Sequence, residues 1–330
     1  MPTIITQAAA LLRAGKLVAF PTETVYGLGA DAMNATAVAR IFQVKKRPFD
    51  HPVIVHLADR SELPHWVDEI PPDAMKLMQT FWPGPLTILL KKRSHIPDII
   101  TAGQSSIGLR IPNHPIAQAL LREFGKGIAA PSANQFTHVS PTTAEAVREE
   151  LGHEVDLIID GGACELGLES TIIDMSCEQA IVLRPGMITT QAITEVLGSP
   201  VIIKRQDMPI MRAPGMHHVH YAPKTKTVIV ATEQLNHFLS TFTTNDLPIA
   251  LVRYTKHRLP HAFSINSELF ARTVIVTMPN DAIQYAHDLY HTLRSLDAGQ
   301  YKQIVIEAVP MNEAWEAIRD RLLRASGLFK

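Results

Sequence analysis

At 330 residues the chain exceeds what one hydrophobic core ordinarily organises, so two globular units are expected. With 46% hydrophobic and 19% charged residues it has ample material for buried cores, which excludes a disordered scaffold. A formal net charge of −1 excludes a global basic field that coats nucleic acid, and any phosphate is left to a few placed cations and backbone amides.

Residues 3–14 read as an amphipathic helix; Gln7 and Arg13 interrupt the apolar run and no cleavage-site pattern follows, which argues against a signal peptide. Strands are expected at the short apolar runs 16–20, 52–57, 86–90, 106–111, 127–130, 155–160 and 170–175. Helices are expected over 34–45 behind Asn34 as N-cap, 72–81, 115–124 ending at Gly125, 142–151 ending at Gly152, and 189–197 ending at Gly198. Several strands follow one another directly, so the pattern is a mixed α/β layer and not clean βαβ repetition. Between Gly198 and Lys226 the periodicity fails and prolines accumulate, marking a linker over 199–226 that separates a unit 1–198 from a unit 227–330. Beyond it, apolar strands at 227–231, 248–252, 273–277 and 303–308 alternate with helices at 233–243, 267–271, 280–297 and 312–325, the signature of a small doubly wound parallel sheet. Two cysteines, Cys164 and Cys177, are too few for a disulfide framework or a zinc site and fit a reducing, cytoplasmic setting. No run reaches the ~18 apolar residues of a membrane span.

The chemistry-bearing segments sit at strand ends. Thr22, Glu23, Thr24 and Tyr26 leave the first strand through a turn rich in hydroxyls and followed by Gly27 and Gly29, able to present amides and hydroxyls to a ligand. Lys45-Lys46-Arg47-Pro48 closes a helix, either as a solvated helix end or as a grip for a triphosphate. Arg110 lies on an apolar strand, where its charge needs either an internal carboxylate or an anionic ligand. Ser132 and Asn134, Ser140 before a helix, Glu169-Ser170-Thr171 and Arg184 repeat the theme of polar groups at strand ends, and their recurrence in one unit points to a shared polar pocket. His217, His218 and His220 lack ligand spacing and carry no metal assignment.

Taken in order, P-T-E-T-V-Y-G-L-G, K-K-R-P, H-P-V-I-V-H, F-W-P-G-P-L-T, G-L-R-I-P, A-P-S-A-N, E-S-T-I-I-D, L-R-P-G and H-Y-A-P resemble the Sua5/YrdC/YciO family, and the full length resembles its two-domain Sua5 type. The resemblance implies a YrdC-like twisted mixed sheet with helices, then a linker and lid, then a smaller Rossmann-like Sua5 domain. It implies synthesis of L-threonylcarbamoyladenylate from L-threonine, bicarbonate or CO2, and ATP, with release of pyrophosphate. The product would serve the tRNA-modifying machinery that makes t6A, with transient tRNA contact at most. Carried over by motif, Thr24, His56, Arg110, Ala130 and Ser170 would line the L-threonine pocket. Lys45, Arg47, His51, Ser106, Ser132, Ser140, Arg184 and Tyr221 would contact ATP or the adenylate, with Lys45 and Arg47 neutralising phosphate charge. Mg²⁺ is expected with ATP; no organic cofactor and no metal site of the protein's own are expected. His51 stands where the family has Asn, and His217 and His218 replace basic and aromatic linker residues.

Two other function classes compete. An RNA-binding module on a concave basic surface is opposed by the near-neutral charge and by the scattered aromatic residues. A carbamoyl-transfer maturation factor is opposed by the absence of acylphosphatase and zinc-finger segments from the sequence.

Overall fold

Ten short strands build the sheet of the first unit: β1 (Val18–Phe20), β2 (Gly27–Asp31), β3 (Ile54–His56), β4 (Leu86–Lys91), β5 (Ser106–Arg110), β6 (Ile128–Ala129), β7 (Leu157–Ile158), β8 (Thr171–Asp174), β9 (Ile181–Arg184) and β10 (Ile202–Ile203). Their order, β10-β9-β8-β4-β5-β3-β6-β2-β1-β7, mixes parallel and antiparallel pairs. The structure, a computed structural model, describes residues 3–203, 213–215, 220–254 and 267–328. Of the expected linker, 204–212 and 216–219, including His217 and His218, lie outside the described residues. By its contacts the chain divides into Met1–Phe136 with Ser140–Met216, and Thr137–Val139 with His217–Lys330.

Side chains alternate across the first sheet with the period of two that pleating imposes. In β1, Val18 and Phe20 face a cluster with Leu12, Leu120, Phe124 and Ile128, while Leu17 and Ala19 face the opposite cluster with Tyr26, Val55, Ile88 and Leu109. The helices Ile4–Arg13 and Pro115–Phe124 pack together on the first side. The helix Ala35–Lys45 starts where the sequence places it: the Asn34 side chain accepts a hydrogen bond from Ala37 N, satisfying one orphan donor of the first turn. The helix expected over 142–151 begins at Ala144, because the Thr143 side chain caps it by accepting from Ala146 N. Gly125 and Gly198 end their helices in the left-handed conformation at φ 72° and 69°.

Strand β2 lies outside the expected strands, since Gly27 and Gly29 break its apolar pattern. The glycine is required by proximity: a Cβ on Gly29 would lie 2.8 Å from Ile128 Cγ2 and 2.9 Å from Phe20 Cε1. Strands β9 and β10 also lie outside the expected strands; β10 is only two residues long and pairs in parallel with β9.

The second unit holds the expected parallel sheet, ordered β11 (Thr227–Val230), β14 (Gln303–Glu307), β12 (Ile249–Arg253) and β13 (Thr273–Thr277). Helices intervene, among them Thr232–Ser240 with Leu235 and Leu239 buried, and Ala282–Ala298 with Tyr285, Leu289, Tyr290 and Leu293 buried. Among the described residues no helix is long and apolar enough to cross a membrane.

Gly29→Val should destabilise the first unit by about 2 kcal/mol through overpacking between Phe20 and Ile128. Urea denaturation followed by the fluorescence of Trp66 and Trp82 measures it; an unchanged midpoint would contradict the close approach.

Candidate active site

The sheet register brings distant residues to one edge. His56 ends β3, pairs with Arg110 at the end of β5 and, on its other side, with Ile128 of β6. The turn after β1 comes back to the same guanidinium: Arg110 Nη1 donates to Thr24 Oγ1 at 2.9 Å, and Arg110 Nε donates to Gly84 O at 3.2 Å. Glu23 Oε1 lies 2.8 Å from Arg110 Nη2, an ionic contact without the alignment of a hydrogen bond. Arg110 thus has the internal carboxylate that burial demands, yet its Nη2, both Glu23 oxygens and His56 Nδ1 make no hydrogen bond. Three of the residues expected around L-threonine, Thr24, His56 and Arg110, are brought together here. The sequence marks Glu23 only as part of the hydroxyl-rich turn, and its place beside Thr24 is the signal for it.

The turn is fixed by its own hydroxyls. Thr22 Oγ1 donates to Val25 O at 2.7 Å and accepts from Thr24 N at 3.1 Å and Val25 N at 3.2 Å. A second hydroxyl chain runs along the neighbouring strand starts: Ser170 Oγ meets Thr87 Oγ1 at 2.8 Å and accepts from Arg184 Nη2 at 3.1 Å. Arg184 also donates from Nε and Nη2 to Ser170 O, at 3.1 and 2.8 Å, and from Nη1 to Pro214 O at 3.0 Å. Ser106 and Pro214 line one narrow crevice, so Ser106 and Arg184 flank the same short segment. Ser140 Oγ donates to the buried Glu169 Oε1 at 2.6 Å. Ala130 N donates to Ile54 O at 2.9 Å, beside Gly27.

The basic cluster after the helix Ala35–Lys45 is not a solvated helix end. Lys46 is exposed, but Lys45 and Arg47 are buried. Lys45 Nζ donates to the carbonyls of Ser132 and Asn134, fastening the loop that leaves β6. Arg47 Nη2 donates to Pro52 O at 2.7 Å, and its guanidinium lies 5.9 Å from the ring centres of both Phe42 and Phe136. The half-buried His51 packs on Phe136 with ring centres 5.1 Å apart. Tyr221 belongs to the second unit, where it stacks on Tyr290 at 5.7 Å under the Arg321 guanidinium.

Burial sets the ionisation of the site. It holds the Lys45 ammonium well below the usual lysine range, with repulsion from Arg47 adding to the effect. Burial, followed by the Arg110 charge, pushes His56 down to about 3, so His56 is neutral at physiological pH. Cys164 is pushed up to about 12 chiefly by burial, which makes it an inert thiol.

The depressed His56 pKa makes stability pH-dependent. Unfolded, the imidazole binds a proton below about pH 6.5; folded, it refuses that proton until about pH 3, so stability present above 6.5 is lost as pH falls through this window. The loss from this one group should approach ~1.4 kcal/mol per pH unit well inside the window. Denaturation midpoints of wild type and His56→Gln between pH 7 and 4 should diverge in slope; parallel curves would contradict it.

The family model Sua5_yciO_yrdC, described as telomere recombination, matches residues 10–186, and Sua5_C, described as the threonylcarbamoyl-AMP synthase C-terminal domain, matches residues 188–327. The threonylcarbamoyl-AMP synthase of Bacillus subtilis (strain 168) is 38% identical over 330 residues, covering 98% of this chain and 93% of the relative. That of Pyrococcus abyssi (strain GE5 / Orsay) is 35% identical over 329 residues, covering 97% and 93%. The crystal structure of P. abyssi Sua5 complexed with L-threonine superposes with a TM-score of 0.88 at 34% identity, covering 98% of this chain and 94% of that one. With one family model matching more than half of the sequence and relatives aligned along nearly all of it, the chain belongs to the Sua5/YrdC/YciO family, in its two-domain form.

Proposed function

We propose that the site around Arg110 binds L-threonine and that Lys45 and Arg47 meet the polyphosphate of ATP. The protein is a threonylcarbamoyl-AMP synthase: it joins L-threonine, bicarbonate or CO2, and ATP into threonylcarbamoyl-AMP, which serves t6A synthesis, and releases pyrophosphate. The observation that carries the site assignment is the buried Arg110 guanidinium, whose Nη2 has no hydrogen bond although Nε and Nη1 are held by Gly84 and Thr24. A held cation with an unused donor is preorganised for a carboxylate, and an amino acid supplies one.

The chemistry asks for charge neutralisation and for proximity among three reactants more than for a covalent intermediate. Arg110 takes the threonine carboxylate, with Thr24, neutral His56, Ala130 and Ser170 completing that pocket. Lys45, Arg47, His51, Ser106, Ser132, Ser140 and Arg184 address the nucleotide, and the family resemblance adds Tyr221. A phosphate beside Lys45 offsets the repulsion from Arg47 and favours the charged amine, so nucleotide binding and the placement of the Ser132–Asn134 carbonyls are linked. Among the described residues no group of three or more His, Cys, Asp and Glu side chains is assembled for a metal. Mg²⁺, expected with ATP, would be carried by the triphosphate and would supply charge neutralisation. Burial of the site excludes water from a carbamate and a mixed anhydride that both hydrolyse readily.

We place catalysis in 1–198, joined through 199–226 to the domain 227–330, and the adenylate passes to tRNA-modifying machinery in the cytoplasm, where both cysteines remain free thiols.

The purified protein incubated with ATP, L-threonine and bicarbonate should release pyrophosphate and form an adenylate of the expected mass only when all three are present. Arg110→Ala should raise the threonine KM by about tenfold or more, the scale of a lost charge-assisted hydrogen bond, while changing the ATP KM far less. Equal effects on the two substrates would contradict the carboxylate assignment.

A further inference from the structure

We propose that Glu23 receives the ammonium group of L-threonine and accepts its first proton, which makes it a catalytic residue of this site. The proposal rests on the reading that Arg110 holds the threonine carboxylate.

Glu23 is 3% exposed, and neither carboxylate oxygen has a hydrogen bond. An ionised carboxylate offers about four acceptor positions, and leaving them unused in a buried place is costly. The other buried carboxylates of the first unit are not left so: Asp31 accepts from Met33 N at 3.0 Å, and Glu169 and Asp174 are likewise bonded. Glu169 accepts from Ser140 Oγ at 2.6 Å, and Asp174 from Ser176 N at 2.9 Å and Ser176 Oγ at 2.6 Å. A carboxylate kept only to neutralise Arg110 would be expected to take up aligned hydrogen bonds from its fork; the 2.8 Å contact at Nη2 lacks that alignment.

The unused atoms form a complementary set around one guanidinium. Arg110 Nη2 is a donor, the Glu23 oxygens are acceptors, and His56 Nδ1 is a neutral imidazole nitrogen. An α-amino acid zwitterion presents the reverse pair, a carboxylate for Arg110 and an ammonium for Glu23, and the threonine hydroxyl is a third polar group for His56. The carboxylate is aimed by a rigid turn: the Thr22 hydroxyl holds Thr24 and Val25, and Leu166 N donates to Glu23 O at 2.8 Å. Of the titratable groups whose charge interacts with Glu23, Arg110 is the cation. His114 is shifted down by burial with its Nδ1 accepting from Ile116 N, and the Cys164 thiol is pushed up to about 12 by burial.

The reaction needs such a group because an ammonium has no lone pair. Its proton passes to Glu23, giving the free amine and a carboxylic acid. The amine lone pair then forms the N–C bond to bicarbonate carbon; a C–O bond breaks, and hydroxide leaves as water with the second amine proton. The product is the carbamate, and Glu23 returns its proton to solvent as the site empties.

Calorimetric titration with L-threonine and with 2,3-dihydroxybutanoate of matching configuration, which carries a hydroxyl in place of the ammonium, tests the proposal. Wild type should bind L-threonine at least about tenfold more tightly than the analogue, a difference of ~1.4 kcal/mol; equal affinities overturn the proposal. Glu23→Gln should lose about tenfold or more in threonine affinity while its affinities for the analogue and for ATP stay within about twofold of wild type. Parallel losses for threonine and analogue overturn it, because Glu23 then acts only by placing Arg110. In threonine-dependent pyrophosphate release, Glu23→Gln should have a lowered kcat that climbs with pH toward about tenfold per unit, following the free amine, more steeply than wild type. An unchanged kcat and pH profile overturn the proton transfer. Glu23→Asp should recover part of the threonine selectivity; where Glu23→Gln does not fold, the wild-type selectivity decides. A wild type that binds no L-threonine overturns the threonine reading itself, an outcome distinct from failure of the Glu23 assignment alone.

Discussion

Burial of the Arg110 charge is the constraint on which the first unit's wiring depends. An arginine at the end of a sheet strand, 4% exposed, is tolerable only if the chain brings partners to it, since an uncompensated buried charge costs several kcal/mol. The partners come from far away in sequence: Thr24 and Glu23 from the turn after β1, and Gly84 from the turn before β4. The hydroxyl network of Thr22 keeps the first of these turns in place. One side chain thus ties three stretches of chain, and the same ties orient its remaining donor.

A second buried cation organises the neighbouring region by a different means. Lys45 has no carboxylate contact comparable to the Arg110–Glu23 pair; it is bonded to two carbonyls of the loop after β6, while Phe136 N in turn donates to Lys45 O at 2.7 Å. Carbonyl dipoles compensate an ammonium less fully than a carboxylate does, which is why burial and Arg47 weigh so heavily against its charge. The charges of Glu150 and Glu169 act in the opposite direction and favour the ammonium. Arg110 is compensated by a carboxylate and has hydrogen-bonding capacity to spare, whereas Lys45 is hydrogen-bonded to carbonyls and feels its carboxylates only at longer range.

Local patterns made most of the fold legible in the sequence. Asn34, Gly125 and Gly198 marked helix ends through capping chemistry that acts within a few residues, and the apolar runs of β4, β5 and β8 stood out because both faces of those strands are covered. What escaped was non-local. The glycines of β2 look like loop residues until Phe20 and Ile128 are seen pressing on Gly29. The site residues were visible as strand-end polar groups and, through the family's ordered motifs, by role; their pairing was not, because which carboxylate answers Arg110 depends on a turn folding back across the sheet. The sequence left open an internal pair or a ligand for Arg110, and the structure shows the pair with capacity left over.

The location of these polar groups favours a small ligand over a polymer. A nucleic-acid surface works through exposed cations that displace counterions along a backbone, and it gains from many such contacts at once. Here Lys45, Arg47, Arg110 and Arg184 are all buried, each is hydrogen-bonded to a carbonyl, and Lys46, the exposed member of its cluster, is the left-handed cap of its helix. Cations that have given up hydration and are held by main-chain carbonyls are arranged for ligands small enough to enter among them, and they need no basic exterior. The near-neutral composition and the buried cations therefore have one physical cause: the charge that matters for this protein is interior, local and already oriented.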